Sequence, residues 1–379
     1  MEKTKVIAFY LPQFHTIPEN DHSYGKGFTE WTNTKKAKPL FPDHNQPRTP
    51  LNNNYYCLLD ESVMEQQVQL AKQYGVYGFC YYHYWFKGGK KLLEKPVEMM
   101  LKNTKIDMPF CLCWANENWT KRWDGGNNEV IVEQDYGNLE ELDLHVDYLC
   151  EFFADPRYIK IDDMPILLIY KPELIPNLEE TLQSIRTRVE KNGFEGIKLI
   201  CQYPLYYFKG EHHEYFDHFV QFQPQFVQDD IYEASRSSTR TKARVLMNKV
   251  GLGSVVKKIQ KYMANKKRAK QKGMPVRRSY DADWAGILGK KITDSKLIAG
   301  AFVDWDNTPR LKTGLVYDGT TPEKFEEYMS ALIDKVHNEY EQNMIFINAW
   351  NEWAEGAYLE PDKQNGYKYL EGLNRALNR

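Results

Sequence analysis

Eight short apolar runs recur along this chain of 379 residues, at 5–14, 76–85, 108–116, 164–170, 196–203, 217–224, 298–304 and 343–350, with helix-like stretches or longer loops between them. Runs that read as near-continuous Val, Ile, Leu, Phe and Tyr belong to strands covered on both faces, the mark of parallel α/β folds. Between the first two runs, Asp60-Glu61-Ser62 has the chemistry of a helix start, and Met64, Val68 and Ala71 follow at helical spacing. Thr321-Pro322 opens another helix whose stripe is Phe325, Met329, Leu332, Ile333, Val336 and Tyr340. Each helix returns the chain to a parallel strand. Eight such returns predict a (β/α)8 barrel rather than an open sheet, and no Gly-rich phosphate fingerprint follows the first run. The expected organisation is one α/β domain over 1–379.

Residues 228–282 break the pattern and read as a basic helical insertion after the sixth strand. Within 231–280 there are fifteen Lys or Arg against the single acid Glu233. Val255, Val256, Ile259 and Met263 give the stretch an intermittent apolar face. It is expected either to cover part of the barrel rim as a solvated excursion, or to meet an anionic membrane surface or a diphosphate-linked lipid sugar carrier.

The formal net charge is −2, so bulk charge speaks for neither nucleic-acid binding nor disorder. No nucleic-acid partner is expected. No segment approaches the roughly 20 apolar residues that span a bilayer, and the opening Met1-Glu2-Lys3-Thr4-Lys5 lacks the pattern of a secretory signal. The chain is therefore read as cytoplasmic, with a peripheral place at the inner face of the membrane if the basic stretch binds lipid. Six cysteines have no disulfide-framework spacing; Cys111 and Cys113 read as core packing. No HxH or HExxH occurs, and no GxSxG elbow or P-loop, so neither metal nor cofactor is expected, and serine-hydrolase and nucleotide-triphosphatase chemistry are disfavoured.

In a (β/α)8 barrel the chemistry sits at the C-terminal ends of the strands, and here those ends are crowded with polar and aromatic residues. The first offers Tyr10, Gln13 and His15, and its loop Glu30 and Trp31. The second ends in Tyr82, His83, Tyr84 and Trp85, the third in Trp114, Asn116 and Glu117, and the fourth in Tyr170. Gln202 ends the fifth and Gln223 the sixth; Asp304, Asp306, Asn307 and Arg310 follow the seventh. Singly, each has a plain structural explanation. Jointly they fit an oligosaccharide, because amide, carboxylate, imidazole and phenol groups bond ring hydroxyls while Trp faces take the apolar side of a pyranose. Aromatic residues make up 14% of the chain, with 26 Tyr and 9 Trp, beyond what a core requires.

After the eighth run comes NAWNEWAEG, 348–356, with Glu352 and Glu355 three residues apart. Period-2 alternation would put Phe346, Asn348, Trp350 and Glu352 on one face. Gly356 is free to turn the chain so that Glu355 swings back to the same cavity. Asn348, Asn351 and the shielding rings of Trp350 and Trp353 complete the candidate set. Two carboxylates in one cleft, the less hydrogen-bonded of them protonated by desolvation, are the equipment for breaking glycosidic bonds. The bland alternative is a solvated acidic turn after a core strand.

Three stretches, FYLPQFHTIPENDHSYGKGFTEWTN (9–33), CWANENW (113–119) and NAWNEWAEGAYLEPD (348–362), resemble the WbsX-like family over nearly the whole chain. Members of that family are assigned as glycosyltransferases of bacterial O-antigen and capsule loci, and the family is related to glycoside hydrolase family 99, the endo-α-mannosidases. The resemblance implies a (β/α)8 barrel with its two functional carboxylates in an E-x-x-E motif after the eighth strand, here Glu352 and Glu355. It further implies that Glu352 deprotonates the sugar's own 2-hydroxyl, which forms a 1,2-anhydro sugar, and that Glu355 protonates the departing oxygen. Water then opens the epoxide with net retention. The usual retaining scheme differs, with a carboxylate about 5 Å from its partner attacking carbon. The basic 231–280 stretch departs from the endomannosidases.

Three functions follow as expectations. The first is a retaining glycoside hydrolase acting on a bacterial surface polysaccharide or its precursor, lipid-linked or free. The second is a glycosyltransferase of O-antigen or capsule biosynthesis; Asp304-Trp305-Asp306 has the spelling of a metal-binding DxD but follows a barrel strand. The third is a non-catalytic glycan-binding protein, which would bury carboxylates at a cost and without a use.

Overall fold

The structure, a computed structural model, describes residues 3–121, 129–203, 213–228 and 273–379. Eight parallel strands form a closed ring: β1 (Lys5–Tyr10), β2 (Gly78–Phe86), β3 (Phe110–Trp114), β4 (Met164–Ile169), β5 (Lys198–Tyr203), β6 (His218–Gln221), β7 (Leu297–Phe302) and β8 (Met344–Asn348). Each pairs with its neighbour in sequence, and β1 closes the ring, with Ile7 opposite Phe346 on one side and opposite Gly78 on the other. All eight correspond to the apolar runs. The chain is a (β/α)8 barrel.

Among the described residues, helices lie between the strands as α1 (Glu61–Gln73), α2 (Lys95–Lys102), α3 (Leu139–Phe153), α4 (Leu178–Lys191), α5 (Tyr280–Gly289), α6 (Pro322–Glu339) and α7 (Lys368–Leu377). Local chemistry starts them where the sequence says it should. Asp60 accepts a hydrogen bond from the Ser62 amide at the head of α1 (3.0 Å), and Asn138 and Glu141 form a reciprocal capping box on α3. Thr321 accepts from the Lys324 amide, with Pro322 in the first turn of α6. Phe325, Met329, Leu332, Ile333 and Val336 of α6 are buried, and Tyr340 lies just past the helix, its hydroxyl donating to Gln221 (2.6 Å). Full burial of each such apolar side chain is worth roughly 1.5–3 kcal/mol.

Close contact between strands is visible at Gly300 of β7, where a Cβ would fall 1.7 Å from the Gln221 carbonyl oxygen of β6. Any side chain there would force the two strands apart. Cys80, Cys111, Cys113 and Cys201 are buried in the barrel core.

Two segments frame the face at the C-terminal ends of the strands. The long connection after β1 carries short helices at Pro18–Tyr24 and Glu30–Lys36 and then crosses to the chain after β8, where Leu51 donates to the Pro361 carbonyl (3.0 Å). After β7, Leu315–Asp318 pairs in parallel with Val276–Ser279. Most of the 228–282 stretch expected to be a helical insertion, 229–272, lies outside the described residues. Its described end is the Val276–Ser279 strand, which runs directly into α5.

Candidate active site

The loop after β8 is held by β1. Trp350 donates its amide to the Phe9 carbonyl (2.8 Å), while the Asn351 side chain accepts from the Leu11 amide (2.7 Å) and donates to the Leu11 carbonyl (3.0 Å). Asn351–Glu352 then pairs antiparallel with Ala357–Tyr358 across a single helical turn at Trp353–Glu355. Gly356 closes it at φ 65°, the left-handed region. Glu352 and Glu355 thus open and close one tight turn. Its outer edge is fixed by Asp306, whose amide donates to the Glu355 carbonyl (2.6 Å).

Between the two carboxylates stands Arg310. Its Nε donates to Glu30 Oε1 (3.0 Å), Nη2 to Glu352 Oε2 (3.3 Å), and Nη1 to Glu355 Oε1. Glu30 is wholly buried at the start of its short helix, and Arg310 is nearly so. Burial pushes the Glu352 carboxyl well up from the ordinary range, and Glu355 adds to that while Arg310 opposes it. The Glu355 carboxyl is raised too, again by burial, with Arg310 the largest opposing influence. One guanidinium cannot neutralise three carboxylates, two of them buried and Glu355 partly so, so the site favours retaining a proton, and Arg310's closer contact draws the negative charge toward Glu355. This leaves Glu352 the readier to hold the proton, opposite to the order that the resemblance assigns during reaction. Burial works against Arg310's charge, and Glu30, Glu355 and Glu352 together outweigh it, raising the guanidinium's already high pKa.

The turn opens onto a cleft of about 920 Å³, at the upper end of the range for small-molecule sites and large enough for several sugar rings. Asn348, Glu352, Glu355, Asn307 and Arg310 form one side with Phe222, Trp305 and Leu311. Tyr82 and Tyr84 from β2, Tyr170 after β4, and Glu117, Trp119, Gln134 and Tyr136 from the long β3 connection line the rest. Tyr82 and Tyr170 meet edge to face at 6.3 Å, and Tyr84 meets Trp119 likewise at 5.0 Å. These rings combine flat apolar faces with phenol groups, the pairing a pyranose needs.

Nine residues expected from the sequence line this cleft: Tyr82, Tyr84, Glu117, Tyr170, Asn307, Arg310, Asn348, Glu352 and Glu355. Others sit one layer out. Asn116 is buried, binding the Tyr136 hydroxyl (3.0 Å) and both backbone groups of Lys171, so that it ties the third and fourth loops together. Asp306 accepts from His44 (2.8 Å), Gln46 (2.7 Å) and Thr308 (2.6 Å), and Asp304 accepts from Arg48 (2.7 Å) and Thr320 (2.8 Å). Gln202 accepts from the Cys113 thiol (3.1 Å), and Gln223 accepts from the Val227 amide (3.1 Å). Gln13 and His15 are buried on the β1 connection without lining the cleft.

A third group lies in packing. β8 ends at Asn348, so its alternation stops before Trp350, which is buried against Phe79 (5.1 Å). Trp353 stacks on Tyr358 (3.9 Å) and donates to Glu360 (2.7 Å); Trp31 packs on Phe14 and donates to the Tyr56 carbonyl (2.8 Å). Tyr10 donates to Gln67 (2.6 Å). His83 faces His145 at 2.9 Å, with Trp85 stacked on His145 (4.7 Å) and Trp114 edge-on to it (4.7 Å). Burial pushes His83 down to about 3, so this pair is neutral. Gln134, Tyr136, Phe222, Gln225 and Leu311 line the cleft without having been singled out by strand-end reasoning. Gln134, Tyr136 and Leu311 sit in connections whose lengths hide their return to the barrel mouth, whereas Phe222 and Gln225 follow β6 closely and Phe222 belongs to an apolar run. Among the described residues no three His, Cys, Asp or Glu side chains gather as a metal set, and no helix is long and apolar enough to cross a membrane.

The family model described as glycosyltransferase WbsX matches residues 6–373. Two curated relatives, each described as uncharacterized protein WxcX, from two strains of Xanthomonas campestris pv. campestris, are 35% identical over 382 aligned residues, covering 99% of this chain. The chain spans about half the length of these relatives. Among solved structures, an endo-alpha-mannosidase of family GH99 from Bacteroides thetaiotaomicron aligns with a TM-score of 0.51 at 13% identity, over 98% of this chain and 96% of that one. A glycoside hydrolase-like protein aligns with a TM-score of 0.56 at 13% identity, over 100% and 94%. At such identity the likeness is one of fold. The long sequence match decides the family: this chain belongs to the family described as glycosyltransferase WbsX, and its barrel shares the fold of a glycoside hydrolase-like protein.

Proposed function

We propose that this protein breaks a glycosidic bond with retention, using Glu352 and Glu355 as a proton-sharing pair, on a bacterial surface polysaccharide or its precursor. The observation that carries this reading is the turn that brings two desolvated carboxylates to one guanidinium at the mouth of an aromatic cleft. In the order implied by the resemblance, Glu352 takes the proton of the sugar's 2-hydroxyl as O2 bonds to C1. The C1–oxygen bond breaks, and the leaving oxygen receives Glu355's proton. Water then bonds to C1 as hydroxide, giving one proton to Glu355, while the C1–O2 bond breaks and O2 takes back the proton held by Glu352. For this order to run, the bound sugar must draw Arg310 away from Glu355 so that its carboxyl is protonated when the bond breaks.

The cleft's charge favours a glycan over a nucleotide donor. Its ionisable lining among the described residues is Glu117, Glu133, Glu352 and Glu355 against Arg310, whose donors already meet carboxylates. A diphosphate would enter a negative field. The DxD spelling does not help it, because Asp304 and Asp306 are engaged by Arg48, His44, Gln46 and Thr308. The family's name keeps a transferase outcome in view. A sugar hydroxyl opening the same anhydro intermediate in place of water would transfer the glycosyl group by the same two carboxylates. The fifteen Lys and Arg of 231–280 suit an anionic lipid surface, which would bring a lipid-linked glycan to the cleft. Salt-sensitive liposome binding, lost when those residues are neutralised, tests that part.

The decisive experiment incubates the wild type and Glu355→Gln with bacterial surface glycans and α-linked oligosaccharides in ¹⁸O-labelled water. The expected result is one ¹⁸O in the new reducing end, with a rate loss of about 10²–10⁴-fold in the variant. Wild-type turnover by Glu355→Gln would remove the pair from the mechanism. Product formed only with an added acceptor sugar, and without label, would make the protein a transferase.

A further inference from the structure

The reaction above uses two carboxylates, yet a third is buried beside them. Glu30 lies 280 residues before Arg310 and holds its Nε at 3.0 Å, while Glu30 Oε2 has no hydrogen-bond partner among the described residues. A wholly buried carboxylate with an unpartnered oxygen is costly to keep. Glu30 therefore calls for a use. Its bond fixes the guanidinium plane, and with it the directions in which Nη2 meets Glu352 and Nη1 meets Glu355.

We propose that Glu30 and Arg310 are opposed positioning charges whose balance keeps one proton shared between Glu352 and Glu355. Arg310 by itself would draw that proton off the pair by stabilising both carboxylates. Glu30, adding negative charge from the far side of the same guanidinium, holds the proton on. The pair then keeps one acid and one base at the pH where it works, the condition that two-carboxylate glycosidic chemistry requires. The inference rests on the reading of Glu352 and Glu355 as the reacting pair.

Other charges face the pair without changing the sign of the argument. Tyr82, Tyr84 and Tyr170 stay neutral phenols, their ionisation suppressed first by burial. Glu133 also lines the cleft, and Glu117 there is paired with Lys171. Asp306, joined to Glu355 through backbone, carries its charge into His44 and Arg48, and Glu360 lies beyond Trp353. All of these remain in place when Glu30 or Arg310 is changed.

The test compares the pH–rate profiles of Glu30→Gln, Arg310→Met and Arg310→Lys with wild type. Glu30→Gln keeps the shape and the bond to Nε but loses the negative charge. Both limbs should move to lower pH, by half a pH unit or more. Arg310→Met should move both limbs to higher pH, and Arg310→Lys, which keeps the charge, should stay nearer wild type. A purely structural role would lower the height of all three profiles without moving their limbs in opposite directions. Titration of ¹³C-labelled glutamate carboxyls in the unliganded proteins, assigned with Glu352→Gln and Glu355→Gln, reads the same shifts without substrate. Opposite carboxyl shifts with no glycan turnover would uphold the proposal and sink the hydrolytic reading. Turnover with unmoved limbs and unmoved resonances would overturn the proposal. Should Arg310→Met fail to fold, Glu30→Gln and Arg310→Lys still decide the sign.

Discussion

At the scale of single residues, Gly356 has a consequence for the proposed chemistry out of proportion to its size. It sits at φ 65°, where an added Cβ would lie 2.9 Å from the Asp306 amide nitrogen and 3.0 Å from Asp306 Cβ. Gly356→Ala should cost about 1–2 kcal/mol in backbone strain alone, and the clash falls on the residue that holds the Glu355 carbonyl. The expected outcome is a kcat reduced at least ten-fold with only a small fall in Tm, measured by steady-state assay and calorimetry. An unchanged kcat would mean that the turn does not aim Glu355. Arg157 shows a different use of one side chain. Its guanidinium donates to the carbonyls of Met100 (3.0 Å), Leu101 (3.3 Å), Asn103 (3.2 Å) and Ile106 (2.9 Å), anchored by Asp155 (2.7 Å).

At the scale of elements, those bonds give α2 its C-terminal end. Helix ends leave carbonyls without partners, and here a residue from the loop before β4 supplies the donors. Arg157→Met should destabilise the protein by roughly 2–4 kcal/mol, since several acceptors lose a charged donor at once. A urea melt unchanged in midpoint would show that water replaces it. Thr321→Ala, removing the cap of α6, should cost about 1 kcal/mol in the same measurement. Element positions were legible because caps and periods are local: Asp60 and the stripe from Met64 to Ala71 lie within a dozen residues. The course of the β8 loop was not. Period-2 alternation carried past Asn348 places Trp350 beside Glu352, whereas the loop is turned by hydrogen bonds to Phe9 of β1 and to Leu11 just past its end.

At the scale of the whole molecule, buried carboxyls give stability a pH dependence. Glu360 accepts from Tyr56 (2.8 Å), Gln67 (2.7 Å) and Trp353 (2.7 Å), yet burial outweighs these bonds and pushes its carboxyl up to about 7. An unfolded glutamate titrates near about 4.3. Between those values the folded chain binds more protons than the unfolded one, so this group's contribution is full below about 4.3 and is lost as pH rises through about 7. Glu352 and Glu355 act in the same direction. Denaturant titrations at pH 5 and 8 should therefore show a loss of stability for wild type that shrinks in Glu360→Gln. Equal losses in both proteins would show that Glu360 is already ionised in the fold.

The barrel was written in the sequence by itself, because eight buried parallel strands demand eight apolar runs and helices between them demand caps. The spacing of Glu352 and Glu355 was legible for the same reason, being a matter of three residues. Only the tertiary structure brought Glu30 to Arg310, and Arg310 to both carboxylates. Those contacts join the connection after β1, the loop after β7 and the turn after β8; Glu30 and Arg310 are 280 residues apart, and Arg310 lies 42 and 45 residues before the two carboxylates. It likewise sorted the strand-end aromatics, sending Tyr82, Tyr84 and Tyr170 to the cleft and Trp31, Trp350 and Trp353 to packing. Tyr82 and Tyr84 share a face of β2 by its own alternation, whereas Trp31 and Trp350 sit in loops held from elsewhere in the chain, Trp31 by the Tyr56 carbonyl and Trp350 by that of Phe9.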